Sequence, residues 1–189
     1  KAFDSPAGTY AHRLDLSAAP SRLASGAVFG DGDAIASSVA VTPDGKWALV
    51  TDNGLAKGSR VAAVALDGMK AAAPIATPNP AAVAMSPVGN AALRLNSDGE
   101  DALRVVSYDP ANAQAPFAIG AEVAYKGGKT QLPLIAAVLG RGALKGRVLV
   151  AENTAVRQLA FSPDGKVEDL SLLTFDGVPG IVGSLGVQP

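Results

Sequence analysis

Oxygen-bearing side chains recur in this 189-residue chain where short apolar runs end. Asp52 and Asn53 follow Trp47-Ala-Leu-Val-Thr51, Asn96 and Asp98 follow Ala91-Ala-Leu-Arg-Leu95, and Glu152 and Asn153 follow Arg147-Val-Leu-Val-Ala151. Carboxylate and carboxamide oxygens are hard donors. Several of them converging from neighbouring loops suit a hard cation such as calcium, which can polarise a carbonyl group. Asp52, Asn53, Asn96, Asp98, Glu152 and Asn153 are therefore the candidate ligand-binding set, with Asp52 and Glu152 as candidate metal ligands. Asp52, Asn53, Glu152 and Asn153 lead because they occupy matching positions. The same residue types also serve turns through their own hydrogen bonds, so each loop has a structural explanation beside the functional one. Neither Asp31-Gly-Asp33 nor Asn96-Ser-Asp-Gly-Glu-Asp101 has the EF-hand spacing. No catalytic residue is assigned.

Other chemistries are poorly supplied. The chain has no cysteine, which excludes disulfides, thiolate metal sites and a cysteine nucleophile. His12 is the sole histidine, so a histidine-rich zinc site cannot form. It falls inside a strand-like run, where surface exposure or packing accounts for it. Gly140-Arg-Gly142 and Lys126-Gly-Gly-Lys129 lack the strand–loop–helix setting of a phosphate cradle. A formal net charge of −1, with no basic cluster, argues against nucleic acid as a partner. No apolar run is long enough for a membrane-spanning helix. Hydrophobic residues make up 48% and charged ones 17%, a packed globular balance. Richness in Ala, Gly, Ser, Thr and Pro suits an exported protein, periplasmic or secreted, although Lys1-Ala-Phe-Asp-Ser-Pro6 does not have the form of a signal peptide.

The elements that would position these side chains are short strands set by a recurring turn. Ser38-Val-Ala-Val-Thr-Pro-Asp-Gly-Lys-Trp-Ala-Leu-Val50 returns as Ala82-Val-Ala-Met-Ser-Pro-Val-Gly-Asn-Ala-Ala-Leu-Arg-Leu95, and Pro43 and Pro87 stand 44 residues apart. A period of about 40–50 residues with strand-like runs marks stacked four-stranded units. The runs read as strands a to d of successive blades. Thr9–Ser17 and Leu23–Phe29 form a c–d hairpin. A first full blade has strands at 38–42, 47–51, 60–66 and 72–76, and a second at 82–86, 91–95, 103–108 and 117–125. A third has strands at 134–139, 147–151, 156–161 and 167–175, with Ser162-Pro-Asp-Gly-Lys166 between c and d. Residues 180–189 read as one more strand a.

The expected fold is therefore an all-β propeller of four-stranded antiparallel blades, one domain over residues 1–189, with about four blades represented. The tally is consistent with a four-bladed ring and with half of a seven- or eight-bladed one. A chain that starts and stops in mid-blade would leave open strand edges, which points to a propeller fragment or to a ring completed by a second chain. Runs such as Val39-Ala-Val41 and Ile135-Ala-Ala-Val138 are apolar on both faces, as blades covered on both sides require.

Thr42-Pro-Asp-Gly-Lys46, Leu49-Val-Thr-Asp-Asn53 and Val61-Ala-Ala-Val-Ala-Leu-Asp67 together resemble the Tyr-Val-Thr-Asn (YVTN) class of propeller repeat. Weaker copies lie at Ser86-Pro-Val-Gly-Asn90, Leu103–Asp109 and Leu149-Val-Ala-Glu-Asn153. The resemblance implies the propeller fold and leaves three functions open. These are a non-catalytic platform for a protein or ligand partner, a lactonase-like hydrolase with an acidic calcium-binding rim, and a redox subunit that docks a quinone or haem partner. Scarce histidine, absent cysteine and unpaired carboxylates favour the platform.

Overall fold

The computed structural model describes residues 8–15, 17, 21–29, 34–52, 59–86, 89–97, 100–124, 134–138, 142–152, 155–162 and 166–174. These residues form strands and no helix, and every strand pairing is antiparallel. The hairpin comes first, β1 (Thr9–Asp15) with β2 (Ser21–Phe29). The first sheet contains β3 (Ala36–Val41), β4 (Trp47–Asp52), β5 (Arg60–Ala65), β6 (Lys70–Ala71) and β7 (Ile75–Ala76). The second runs through β8 (Pro80–Met85), β9 (Ala91–Ser97), β10 (Glu100–Tyr108) and β11 (Phe117–Glu122). The third runs through β12 (Leu134–Val138), β13 (Arg147–Glu152), β14 (Ala155–Phe161) and β15 (Val167–Thr174). Each sheet is a meander in chain order. The expected strands recur within a few residues, and the Ser162–Lys166 turn does join the third and fourth strands of its sheet. The expected strand at 180–189 lies outside the described residues.

One expected strand is broken. The fourth position of the first sheet is shared by β6 and β7, both paired with β5. Pro74 lies between them and has no N–H to offer the ladder, so pairing lapses there and resumes at Ile75. Ala72 still donates to the Ala63 carbonyl at 2.8 Å, extending the β6 register, and β7 resumes one residue out of step with it.

The core is a set of layers between consecutive sheets. Val28 and Phe29 of the hairpin pack with Val50, Ala62, Val64 and Met69 of the first sheet. Leu49, Val61 and Ala63 pack with Val83, Leu93, Val106 and Phe117 of the second sheet. Leu103 and Val123 pack with Val148, Val150, Leu159 and Phe161 of the third. Alternation explains the double use. Along a strand, successive side chains point to opposite faces, so Leu49 and Val50, or Ala63 and Val64, serve different layers. Burying a Leu, Val or Phe side chain stabilises by roughly 1.5–3 kcal/mol, and here both faces of a sheet contribute. The first strands, β3 and β8, also meet directly. Ser38 Oγ accepts from Val83 N at 3.2 Å and faces the Val83 carbonyl at 3.5 Å. No helix among the described residues is long and apolar enough to cross a membrane.

Candidate functional site

The meander topology fixes where polar side chains gather. In each sheet the turn between the first and second strands shares an end with the turn between the third and fourth. The loops between second and third strands lie at the opposite end, the expected acidic rim. Asp52, Asn96 and Glu152 are each the sixth residue of the second strand of their sheet, so the fold does carry them to corresponding positions. Asn53, Asp98 and Asn153 lie outside the described residues, and only the backbone is described at Asn96 and Glu152.

Asp52 has well-defined partners. It sits directly opposite Arg60 in the β4–β5 ladder and is only 2% exposed. Its Oδ2 accepts from Arg60 Nε at 3.0 Å, and its Oδ1 accepts the Ile35 N–H at 2.8 Å. The Arg60 guanidinium carbon in turn lies 4.7 Å from the Phe29 ring centroid, a cation–π contact with β2. One carboxylate therefore joins the entry to β3, the start of β5 and the hairpin. Nearby, Ser59 Oγ donates to Asn79 Oδ1 at 2.8 Å and Thr77 N donates to the Ser59 carbonyl at 2.9 Å. This holds Asn79 at a φ of 34°. Among the described residues no three acidic or histidine side chains are grouped to hold a metal.

The opposite end carries a network that sequence reasoning missed. In the Thr42–Lys46 turn, Thr42 Oγ1 donates to Asp44 Oδ1 at 2.6 Å and accepts from Trp47 N at 3.1 Å. Gly45 adopts a φ of 68°, which the tight turn requires and side chains resist. The related turns close alike: Ser86 N bonds the Asn90 carbonyl at 2.6 Å, and Ser162 Oγ accepts from Lys166 N at 3.1 Å. That shared closure is the physical content of the recurring phrase. The turns also join sheets. Tyr108 Oη donates to Asp44 Oδ2 at 2.7 Å, and buried Asn90 Nδ2 donates to the Ser162 carbonyl at 2.8 Å.

The Asp44–Tyr108 contact makes stability depend on pH. Donation by the Thr42 hydroxyl is the main reason the Asp44 carboxyl is held below its ordinary value of 3.8. Burial opposes that effect, while Tyr108 and Lys46 reinforce it. Burial first, then Asp44, pushes the Tyr108 phenol up to about 12. The folded state thus favours ionised Asp44, so its contribution is complete above about pH 4 and disappears as pH falls through the lowered folded value. It also favours neutral Tyr108, whose contribution is complete below about pH 10 and disappears as pH rises through the raised one. In thermal melts, the Tm advantage of the parent over Tyr108→Phe should be greatest between about pH 5 and 9 and shrink at both extremes. A constant difference across that range would break the assignment.

The same end opens into a cleft of about 1060 Å³. Its walls include Val39 and Val41 of β3, Trp47 of β4, Met69, and the cationic Arg13, Lys46 and Lys70. His12 also lines it and stacks on Tyr10 with ring centroids 6.5 Å apart. The sequence signalled that β3 needs cover on both faces, since Val39-Ala-Val41 is apolar on each, but not where that cover is lacking.

No protein-family model and no curated protein matches this chain. Solved structures do resemble it in fold. A gluconolactonase from Xanthomonas campestris superposes with a TM-score of 0.52 at 16% identity, over 77% of this chain and 48% of that one. A second gluconolactonase-like protein gives 0.54 at 19%, over 87% and 58%. The β-propeller domain of Cps50 (Swd1) from Myceliophteria thermophila gives 0.52 at 12%, over 86% and 52%. At such identities the likeness is one of fold, and the chain has a β-propeller-type architecture. It spans about half the length of these structures.

Proposed function

We propose that this chain is a non-catalytic β-propeller platform, acting outside the cytoplasm, that binds its partner at the turn end of the sheets rather than at the acidic rim. The observation that carries this reading is the state of Asp52. Its carboxylate is buried, paired across the ladder with Arg60 and capping Ile35 N–H, so it serves to hold sheet and hairpin together. A carboxylate engaged in this way is poorly placed to give its oxygens to calcium. The cleft at the other end is comparable in volume to ligand pockets of roughly 300–1,000 Å³ and mixes apolar walls with a few charges. The competing reading is a lactonase-like hydrolase with a calcium-bearing rim, favoured by the corresponding strand positions of Asp52, Asn96 and Glu152.

Calcium and a panel of lactones separate the two. The full chain with millimolar calcium should hydrolyse none of them above the uncatalysed rate, and its absorbance spectrum should show neither haem nor quinone. Asp52→Ala should cost about 2 kcal/mol of stability, the scale of a hydrogen-bonded charged group, read as a lower Tm. Calcium-dependent turnover abolished by Glu152→Ala would establish the hydrolase instead.

A further inference from the structure

The hairpin covers only part of the first sheet. Val28 and Phe29 of β2 lie over Val50, Ala62, Val64 and Met69, on the second and third strands and the turn beyond them. Among the described residues nothing comparable lies over β3. Val39 and Val41, which share one face by alternation, are 63% and 51% exposed. Ser38 and Ala40, on the other face, are half-buried toward the second sheet. The uncovered strip borders β1. Ala11, His12 and Arg13 line the large cleft with Val39 and Val41, and a recess of about 360 Å³ separates Tyr10 from Val39 and Val50. Among the described residues β1 pairs only with β2. One strand edge and one apolar strand face therefore flank the same gap.

Charge indicates what would fill it. Among the described residues Arg13, Lys46 and Lys70 border the cleft against one lining carboxylate, Asp67, which already accepts its neighbour's N–H at 2.7 Å. Asp44 is directed to Thr42 and Tyr108. We propose that β1 and the exposed face of β3 accept an extended segment of a partner protein in which acidic residues alternate with apolar ones. The segment would pair its backbone with the β1 edge, place alternate apolar side chains on Val39 and Val41, and direct its carboxylates toward Arg13, Lys46 and Lys70. Backbone pairing supplies affinity in such strand addition, and side chains supply selectivity. This inference rests on the platform reading and names the class of partner.

The single tryptophan, Trp47, lines the cleft and reports occupancy by its fluorescence. The full chain is titrated with a synthetic eight-residue peptide of alternating Val and Glu. Matched peptides carry Lys in place of Glu, or a central Pro that blocks pairing. The Glu peptide should shift Trp47 emission saturably, and the other two should not. Lys46→Glu/Lys70→Glu, at exposed positions, should weaken binding about tenfold while leaving the circular dichroism spectrum unchanged. Hydrogen exchange should slow at the outward amides of 11–13 only when peptide is bound. Three results would overturn the proposal: no saturable change or equal response to all three peptides, outward amides already protected in the free monomer, or a dimer that dissociates on Val39→Asp. The second would mean that the chain's own strand fills the gap, and the third that a second copy does. Each would leave the absence of lactone turnover untouched, so failure here differs from failure of the platform reading.

Discussion

Replacing Asp169 with alanine should lower stability by about 3–5 kcal/mol, the usual cost of stranding one member of a buried ion pair. For a chain of this size that corresponds to a fall in Tm of about 10 °C. Asp169 Oδ2 accepts from Arg157 Nη1 at 2.5 Å, and both residues are buried within the third sheet. Arginine cannot shed its proton at any accessible pH, so the variant leaves a buried cation without this carboxylate. The pair as a whole is a different matter, because desolvating two charges offsets much of their attraction. Arg157→Met/Asp169→Leu should therefore recover most of the loss. Thermal melts of the single and double variants give the answer. A drop below about 1 kcal/mol for Asp169→Ala would mean that water reaches the pair.

Gly26→Ala should be nearly as damaging, for a steric reason. A Cβ built on Gly26 would lie 1.6 Å from the Met69 carbonyl oxygen and 2.7 Å from its carbon. Both are backbone atoms in the turn before β6, and Met69 itself holds a φ of 50°, so that turn has little room to move. The hairpin would have to lift from the first sheet, opening the layer of Val28, Phe29, Val50, Ala62 and Val64. Overpacking of this kind costs about 3 kcal/mol. The loss should be local, seen as faster hydrogen exchange in β2 and β5 with the third sheet unchanged. Gly68→Ala is the control, since nothing lies within 4 Å of its added methyl. It should shift stability by no more than about 0.5 kcal/mol. If both variants behave alike, the close approach of β2 to Met69 is not present in solution.

The approach of Gly26 to Met69 joins residues that sequence spacing does not connect, and this separates what was legible from what was not. Turn chemistry was legible because it is local. Thr42, Ser86 and Ser162 each close a turn within a few residues, and Gly45 supplies the left-handed φ there. Strand runs were legible because alternation and β-branched residues act within a strand, so the second and third strands of each sheet begin and end close to where expected. The break between β6 and β7 could have been read from Pro74.

The role of Asp52 was not legible. Its type and its place at a strand end fit a ligand as well as a ladder pair, and only the β4–β5 register sets Arg60 opposite it. Nor was the clamp between Tyr108 and Asp44, 64 residues apart, or that between Asn90 and Ser162, 72 apart. The amino-acid order alone determined strands, turns and the meander of each sheet, since these arise from steric and hydrogen-bonding preferences spanning a handful of residues. Only the stacking of sheets decided which faces are covered, which carboxylates are paired and where the cleft opens. Those outcomes depend on what one sheet presents to the next, and local preference carries no information about a neighbour in space.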